Sequence, residues 1–262
     1  MTHIVEKPAT AGVVWITGAS SGIGRALALA YARRGVGVAA TARSVEGLDA
    51  LAREAGGLVR AYPADVTDAA AIAATVDRIE AEMGPIATAI LNAGIYLPVR
   101  AQNLGVEDCA RSFRVNLDGT VHCLVPLLAR MGARRAGQIA IVSSSAGYRG
   151  LPTSAAYGAT KAGLINLAES LKFDTDNMGI DLRIVTPGFV ETAATDRNPF
   201  PMPAIVSAET AAARIIAGLA GRRFDITFPR RFTLVLKALA LLPASVYFAI
   251  VARATGWRGK RD

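Results

Sequence analysis

The feature that most constrains the fold is a short apolar segment that runs directly into a glycine-rich turn. Residues 13–17, Val-Val-Trp-Ile-Thr, are typical of a buried strand. The turn Gly18-Ala19-Ser20-Ser21-Gly22-Ile23-Gly24 follows, and a helical pattern then covers residues 25–34 and stops at Gly35. Glycines allow a tight turn, and the N–H groups at a helix N-terminus attract phosphates. The spacing Gly-x-x-x-Gly-x-Gly therefore predicts a phosphate cradle, a variant of the dinucleotide fingerprint.

The same alternation of strand and helix continues along the chain. Further strands are predicted at residues 36–42, 58–62, 86–91, 138–142, 180–185 and 225–228. Helices are predicted at residues 68–83, 106–131 and 208–221, and another carries Tyr157 and runs to about residue 177. This pattern predicts an α/β fold, a doubly wound Rossmann-type three-layer sandwich with a mainly parallel seven-stranded sheet. We expect residues 1–229 to form this domain and residues 230–262 to form a C-terminal apolar helical extension.

Ligands of such sheets bind beyond the carboxyl ends of the strands. Glycine, polar and proline residues follow six of the predicted strands at that edge: Gly18, Arg43, Asp65, Asn92, Ser144 and Pro187. Their coincidence at one edge predicts a ligand site there.

The residue after the second predicted strand bears on the choice of cofactor. An acidic residue at this place binds a ribose 2′-hydroxyl, whereas an arginine accommodates a 2′-phosphate. No Asp or Glu lies between residues 36 and 44, and Arg43 follows the strand. Arg43, with help from Arg25, therefore favours NADP over NAD. The alternative interpretation is a solvated surface arginine.

Tyr157 and Lys161 are four residues apart, so on a helix they share one face. A phenol ionises near pH 10, too high for a base at neutral pH. A lysine ammonium beside it favours the phenolate and lowers the pKa. The pair could therefore exchange a proton with an alcohol or a carbonyl oxygen. The motif alone is a weak signal, and a solvated helix face is its alternative.

Taken together, these residues closely resemble the classical short-chain dehydrogenase/reductase family over about residues 12–192. The resemblance rests on residues 17–24 and on the motifs Asp65, Asn92-Ala93-Gly94, Asn116, Ser144, Tyr157, Lys161 and Pro187-Gly188. Ser144 is chosen among three consecutive serines because the family's catalytic serine lies thirteen residues before the tyrosine. Ser143 and Ser145 remain alternatives.

The resemblance implies hydride transfer between a nicotinamide and a carbonyl or alcohol. Tyr157 would be the general acid or base, and Ser144 would hydrogen-bond the substrate oxygen. Lys161 would lower the pKa of Tyr157 and bind the nicotinamide ribose, and Asn116 would hold a relay water. The implied cofactor contacts are Gly18, Ser20, Ser21, Gly22, Ile23, Gly24, Arg43, Asp65, Val66, Asn92, Ala93, Gly94, Tyr157, Lys161, Pro187, Gly188, Val190 and Thr192. Thr192 would contact the carboxamide and Asp65 the adenine, with helix capping or a loop role as the alternative for Asp65. The resemblance also suggests a dimer or tetramer.

Composition limits the remaining possibilities. Of 262 residues, 52% are apolar and 19% are charged, which excludes general disorder and supports one large core. Cys109 and Cys123 lie on one predicted helix about 21 Å apart, too far for a disulfide. The only histidines are His3 and His122, and no metal site is predicted. Residues 1–11 lack the apolar core of a signal peptide, so we expect cytosolic synthesis and retention.

Most of the net charge of +8 lies in the tail, where residues 230–262 carry seven basic residues and one acidic residue. Nucleic acid is disfavoured as a partner because no nucleic-acid-binding module is recognisable. Residues 232–252 are mostly apolar, but Lys237 and Pro243 interrupt them, which disfavours a membrane span. The tail is expected to lie on an acidic membrane surface, or to pack over the lid or against another subunit.

Residues 189–206 occupy the place of the family's substrate-covering loop. They include the large apolar residues Phe189, Phe200, Met202 and Ile205 and the prolines Pro199, Pro201 and Pro203. Such a lid favours an apolar substrate, although the residues could simply pack the lid shut. We therefore expect an NADP-dependent oxidoreductase acting on a hydrophobic carbonyl or alcohol. A non-catalytic NADP-binding regulator is the main alternative, and an epimerase or dehydratase is disfavoured by the glycine spacing.

Overall fold

The computed structural model describes residues 12–192, 195 and 202–257. Their strands form one seven-stranded sheet in the order β3-β2-β1-β4-β5-β6-β7, and every neighbouring pair is parallel. The strands are β1 Val13–Thr17, β2 Val38–Thr41, β3 Val59–Ala61, β4 Ile86–Leu91, β5 Gly137–Val142, β6 Ile180–Pro187 and β7 Asp225–Phe228. This arrangement confirms the predicted fold class. The direction in which strands are added reverses between β1 and β4, the point where such sheets bind ligands.

Helices cover both faces of the sheet. They are α1 Gly22–Ala32, α2 Val45–Glu54, α3 Ala69–Met83, α4 Val106–Phe113, α5 Gly119–Arg134, α6 Ala155–Asn177, α7 Ala208–Ala220, α8 Arg230–Ala240 and α9 Ala244–Ala254. One core cluster joins β1 to α1 and α7, and a second joins it to α3 and α5. Val14 and Ile16 enter the first cluster, whereas Val13 and Trp15 enter the second. Burial on both faces explains why β1 is a continuous apolar run.

The predicted helix over residues 106–131 is not a single α-helix. The chain stays helical, but a π-helical turn at Arg114–Asp118 separates α4 from α5. A π turn widens the helix by one residue per turn and is frequent at functional sites. The helix continues through Pro126, which lies inside α5. Cys109 and Cys123 lie on either side of the π turn, and both are free thiols.

The tail forms two helices that meet at Pro243, as its sequence predicts. Their inner sides contact the main domain: Tyr247 donates a hydrogen bond to the Gly150 carbonyl at 2.8 Å. Arg149 donates to the carbonyls of Ala240 and Leu242, at 3.0 and 2.6 Å. In the described part of the chain, no helix has the length and apolarity needed to cross a bilayer. Three of the basic residues counted in the tail, Arg258, Lys260 and Arg261, lie outside the described residues.

The second core cluster gives a test of the packing. Leu127 of α5 is fully buried, so Leu127→Ala removes buried apolar surface and leaves a cavity. We expect the free energy of unfolding to fall by about 2–5 kcal/mol, measured by urea denaturation. Val125, in the same helix, is 63% exposed, and Val125→Ala should change it by no more than about 0.5 kcal/mol. Equal losses in the two variants would contradict this assignment of the core.

Candidate active site

A cleft of about 700 Å³ opens at the carboxyl ends of the strands. It is lined by all but two of the residues that the sequence predicts for the site. The exceptions are Gly24 and Asn116, which lie behind its wall. The predicted residues that line it are Gly18, Ser20, Ser21, Gly22, Ile23, Arg43, Asp65, Val66, Asn92, Ala93, Gly94, Ser144, Tyr157, Lys161, Pro187, Gly188, Val190 and Thr192. Predicted residues up to 174 positions apart in the chain, Gly18 and Thr192, therefore meet in one cavity.

The glycine-rich turn is too tightly packed to carry side chains. A Cβ added to Gly18, whose φ is +67°, would lie 2.8 Å from the Ala93 Cα. A Cβ added to Gly24 would lie 2.2 Å from the Gly18 carbonyl oxygen. Gly24 thus allows helix α1 to start against the turn, although it does not line the cleft.

The first turn of α1 suits an anionic ligand. The Ser21 side chain makes no capping hydrogen bond, and no acidic residue lies in this turn. The orphan N–H groups of the helix are therefore not satisfied by a cap from Ser21. Together with the turn of glycines, this arrangement fits the pyrophosphate of a dinucleotide.

The two predicted arginines differ in position. Arg43 is exposed and lines the cleft two residues after β2. Arg25 instead forms an ion pair with Glu54, the last residue of α2, and does not line the cleft. The expected help from Arg25 is therefore not seen in this structure, because its guanidinium is turned toward a carboxylate. Asp65 lines the cleft, while its Oδ1 accepts hydrogen bonds from the Thr67 N–H and hydroxyl, both at 2.9 Å.

Tyr157 and Lys161 lie in the first two turns of α6, facing the end of β5. The Lys161 Nζ donates to the Val142 carbonyl at 2.9 Å and lies 5.5 Å from the centroid of the Tyr157 ring. The Ser144 side chain lies close enough to lower the pKa of Tyr157. The Ser143 hydroxyl instead donates to the Lys161 carbonyl at 2.7 Å. Ser143 and Ser144 both line the cleft, whereas Ser145 does not.

Burial dominates the titration of both groups. It raises the pKa of Tyr157 to about 12, an effect that the Ser144 hydrogen bond partly offsets and that Tyr96 increases. Burial also lowers the pKa of Lys161 from 10.5 to about 8. The sequence predicts that Lys161 lowers the pKa of Tyr157, but here the ammonium bonds the Val142 carbonyl instead. In this structure burial, and not Lys161, therefore determines the direction in which the pKa of Tyr157 is shifted.

Asn116 lies in the π turn and is fully buried. Its Nδ2 donates to the Ile95 carbonyl and to the Thr160 hydroxyl, both at 3.0 Å. Its Oδ1 accepts from the Ile95 N–H at 2.8 Å. Both amide hydrogens are thus used within the protein, and a water could bond this side chain only by donating to its oxygen.

Sequence reasoning missed Tyr96, which also lines the cleft. Its ring meets that of Tyr157 edge to face at a centroid distance of 5.1 Å, and its hydroxyl lies 2.8 Å from the Thr153 Oγ1. Thr153 has a φ of +61°, a strained conformation for a β-branched residue. The sequence feature that could have identified Tyr96 is its position, two residues after the Asn92-Ala93-Gly94 motif.

Comparison with known proteins identifies the family. The family model described as short chain dehydrogenase matches residues 12–199. The chain belongs to the short-chain dehydrogenase/reductase family. An uncharacterized oxidoreductase of Myxococcus xanthus is 35% identical over 91% of this chain and 95% of its own length. The 3-oxoacyl-acyl-carrier-protein reductase FabG of Thermotoga maritima is 35% identical over 82% of this chain and 86% of its own.

Solved structures of this family have the same fold. A short-chain dehydrogenase from Streptomyces avermitilis is 26% identical and covers 97% of this chain and 99% of its own, with a TM-score of 0.79. ElxO with NADP bound is 25% identical and covers 82% of this chain and 97% of its own, with a TM-score of 0.74. The short-chain dehydrogenase described here is therefore an oxidoreductase by family, and nicotinamide cofactors suit its cleft.

The lowered pKa of Lys161 makes a testable contribution to stability. Between about pH 8 and pH 10.5 the unfolded chain binds a proton at Lys161 that the folded chain does not, so stability rises with pH. We expect the unfolding free energy of the wild type, minus that of Lys161→Met, to increase by about 3 kcal/mol across this window. Urea denaturation of the cofactor-free proteins measures it. A difference that is independent of pH would contradict the burial effect.

Proposed function

We propose that the protein is an NADP(H)-dependent oxidoreductase that interconverts a hydrophobic carbonyl compound and the corresponding alcohol. The single observation that carries this proposal is the meeting of Ser144, Tyr157 and Lys161 in the cleft that also contains the glycine-rich turn. Acid–base groups and a nucleotide cradle in one cavity fit hydride transfer coupled to proton transfer.

Tyr157 is proposed as the acid in reduction and the base in oxidation. When bound, the nicotinamide supplies or accepts the hydride. The phenol is protonated at neutral pH, and burial raises its pKa further, to about 12, so Tyr157 can donate its proton to a carbonyl oxygen. Ser144 lines the same cleft and would donate its hydroxyl proton to that oxygen and stabilise the developing negative charge.

Lys161 and Asn116 are proposed as the proton path behind Tyr157. A Cβ added to Gly94 would lie 3.2 Å from the Asn116 Oδ1 and 3.5 Å from the Lys161 Nζ. A glycine at this position therefore leaves both polar atoms accessible from the same space. A water in this space could accept a hydrogen bond from the Lys161 ammonium and donate one to the Asn116 Oδ1. This arrangement supports the relay role.

The preference for an apolar substrate is supported by Tyr96, whose ring lines the cleft beside Tyr157. Next to the cleft, the Phe189 ring lies 5.6 Å from that of Phe232 in α8. The loop after β6 returns to its start, since Val190 and Val206 form a bridge. The predicted lid residues Pro199, Phe200 and Pro201 lie outside the described residues.

A Tyr157→Phe substitution separates catalysis from cofactor binding. Loss of the proton donor should lower kcat by about a hundredfold or more while NADPH affinity stays near that of the wild type. The measurement is NADPH oxidation with a panel of medium- and long-chain ketones and aldehydes, alongside a fluorescence binding titration. Tyr31→Phe, which makes the same chemical change in α1 away from the cleft, serves as the control. Unchanged turnover in Tyr157→Phe would refute the mechanism. Wild-type protein that binds NADPH but turns over none of the panel would favour the regulator.

The NADP preference is tested at Arg43. If its guanidinium binds the 2′-phosphate, Arg43→Gln should weaken NADPH binding about tenfold and leave NADH binding nearly unchanged. Arg25→Gln is the matched control, because Arg25 is paired with Glu54 and does not line the cleft. Equal affinity of the wild type for both cofactors, or equal losses in the two variants, would reject the assignment to Arg43.

A further inference from the structure

Helices α8 and α9 expose several large apolar side chains on the sides that do not contact the domain. In α8, Arg231, Leu234, Val235 and Ala238 share one exposed stripe, with spacings of three and four residues. Leu241 follows it and is 87% exposed. In α9, Val246 and Ile250 are exposed on one flank of the helix, and Phe248, which is 62% exposed, lies on the other flank. Clustered apolar exposure of this kind marks an interaction surface. We call this surface the α8–α9 face.

The charge around the α8–α9 face has one sign. No acidic residue occurs between positions 229 and 257. Arg230, Arg231 and Arg253 are exposed, and none of them forms an ion pair with a residue that the structure describes. Lys237 differs, because it points inward and pairs with Asp225 of β7. The face therefore combines apolar surface with uncompensated positive charge.

The inner sides of the two helices are fixed to the domain, which determines the side that remains outward. Tyr247 bonds the Gly150 carbonyl, and Arg149 lies over the Tyr247 ring at 4.2 Å while it binds the helix junction. At the end of the tail, Arg100 lies over the Trp257 ring at 4.8 Å. Because the inner sides of both helices are already packed on the domain, the apolar side chains of the outer face are not buried by the same molecule.

We propose that the α8–α9 face docks on the surface of an anionic lipid bilayer, with both helices lying in the plane of the interface. Each helix has eleven residues, about half the length that a span requires. Leu234, Leu241 and Phe248 would enter the boundary between headgroups and acyl chains. The exposed arginines would meet the phosphates of the headgroups.

A second copy of this chain fits the same face less well. A two-fold contact would bring the face against itself, so that the arginines of one copy meet those of the other. Neither copy would offer a carboxylate from residues 229–257 to balance them. An anionic bilayer supplies the missing charge together with an apolar layer.

Docking in this way would place the active site near the membrane. The helices and the residues just after them contact the loops that follow β4, β5 and β6, through Arg100, Arg149 and Phe189 respectively. These loops lie at the sheet edge that carries the cleft. The inference rests on the surface of α8 and α9 and not on the proposed reaction, so the failure of one leaves the other intact.

Vesicle co-sedimentation of the full chain tests the proposal. We expect binding to vesicles of phosphatidylcholine with phosphatidylglycerol, much weaker binding to phosphatidylcholine alone, and a decrease with added salt. The double variant Leu241→Glu and Phe248→Glu should lose about tenfold or more in partitioning. Phe173→Glu is the control, because Phe173 is 77% exposed on α6, outside the face, and should bind like the wild type.

A second double variant tests the contribution of positive charge without changing any apolar residue. Arg231→Gln with Arg253→Gln should also lose about tenfold in binding to the anionic vesicles, and its binding should depend less steeply on salt. Thermal melting checks that every variant is folded. No binding of the wild type to anionic vesicles overturns the proposal, as does unchanged binding in both double variants. A smaller oligomer in the Leu241→Glu and Phe248→Glu variant, seen by light scattering without vesicle binding by the wild type, would assign the face to a second copy.

Discussion

The site depends on a pair of hydrogen bonds that connect the ends of two central strands. The Thr17 hydroxyl accepts them from the backbone N–H groups of Asn92 and Ala93, at 3.0 and 3.1 Å. It ties the end of β1 to the end of β4, where the two halves of the sheet diverge. The Asn92 side chain adds hydrogen bonds to the carbonyls of Thr17 and Gly18, at 3.1 and 3.3 Å. These hydrogen bonds therefore hold the glycine-rich turn on the side that faces β4, and the side that faces the cleft stays open to a ligand.

A second set of contacts fixes the proposed catalytic groups relative to this turn. The Lys161 Nζ bonds the last carbonyl of β5, and Ser143 returns a hydrogen bond to the Lys161 carbonyl. Helix α6 is thus locked to the strand that precedes Ser144, and a Cβ at Gly147 would lie only 2.7 Å from the Lys161 backbone. Such close contact holds the start of α6, with Tyr157 and Lys161, against the end of β5 beside Ser144.

The tail is joined to the same region by a chain of polar contacts. Lys237 of α8 pairs with Asp225, which accepts from the Thr186 hydroxyl, and Tyr148 donates to that hydroxyl at 2.7 Å. Tyr148 lies on the loop that follows Ser144, and Thr186 immediately precedes Pro187. The α8 helix is therefore connected through side-chain contacts to two loops that line the cleft.

Local sequence determined the order and kind of most elements. The apolar strands, the glycine-rich turn and the position of Pro243 act through backbone conformation and periodicity, which a short stretch of chain carries by itself. The family motifs likewise named most of the residues that line the cleft, because the ends of the predicted strands and the start of α6 meet at that edge of the sheet. The errors at strand ends, such as residues 36–42 for Val38–Thr41, arise because pairing with neighbours decides where a strand begins.

The tertiary structure alone decided the features that depend on distant partners. The π turn at Asn116 has no periodic signal, and the Ile95 and Thr160 contacts that accompany it come from other parts of the chain. The pairing of Arg25 with Glu54, 29 residues away, removed it from the cleft, and Tyr96 became part of the site through its packing on Tyr157. The sequence by itself thus determined the fold, the family and the candidate chemistry. Only the folded chain decided which side chains bond each other and which face of the tail meets solvent, because those outcomes are set by contacts between segments that local patterns do not encode.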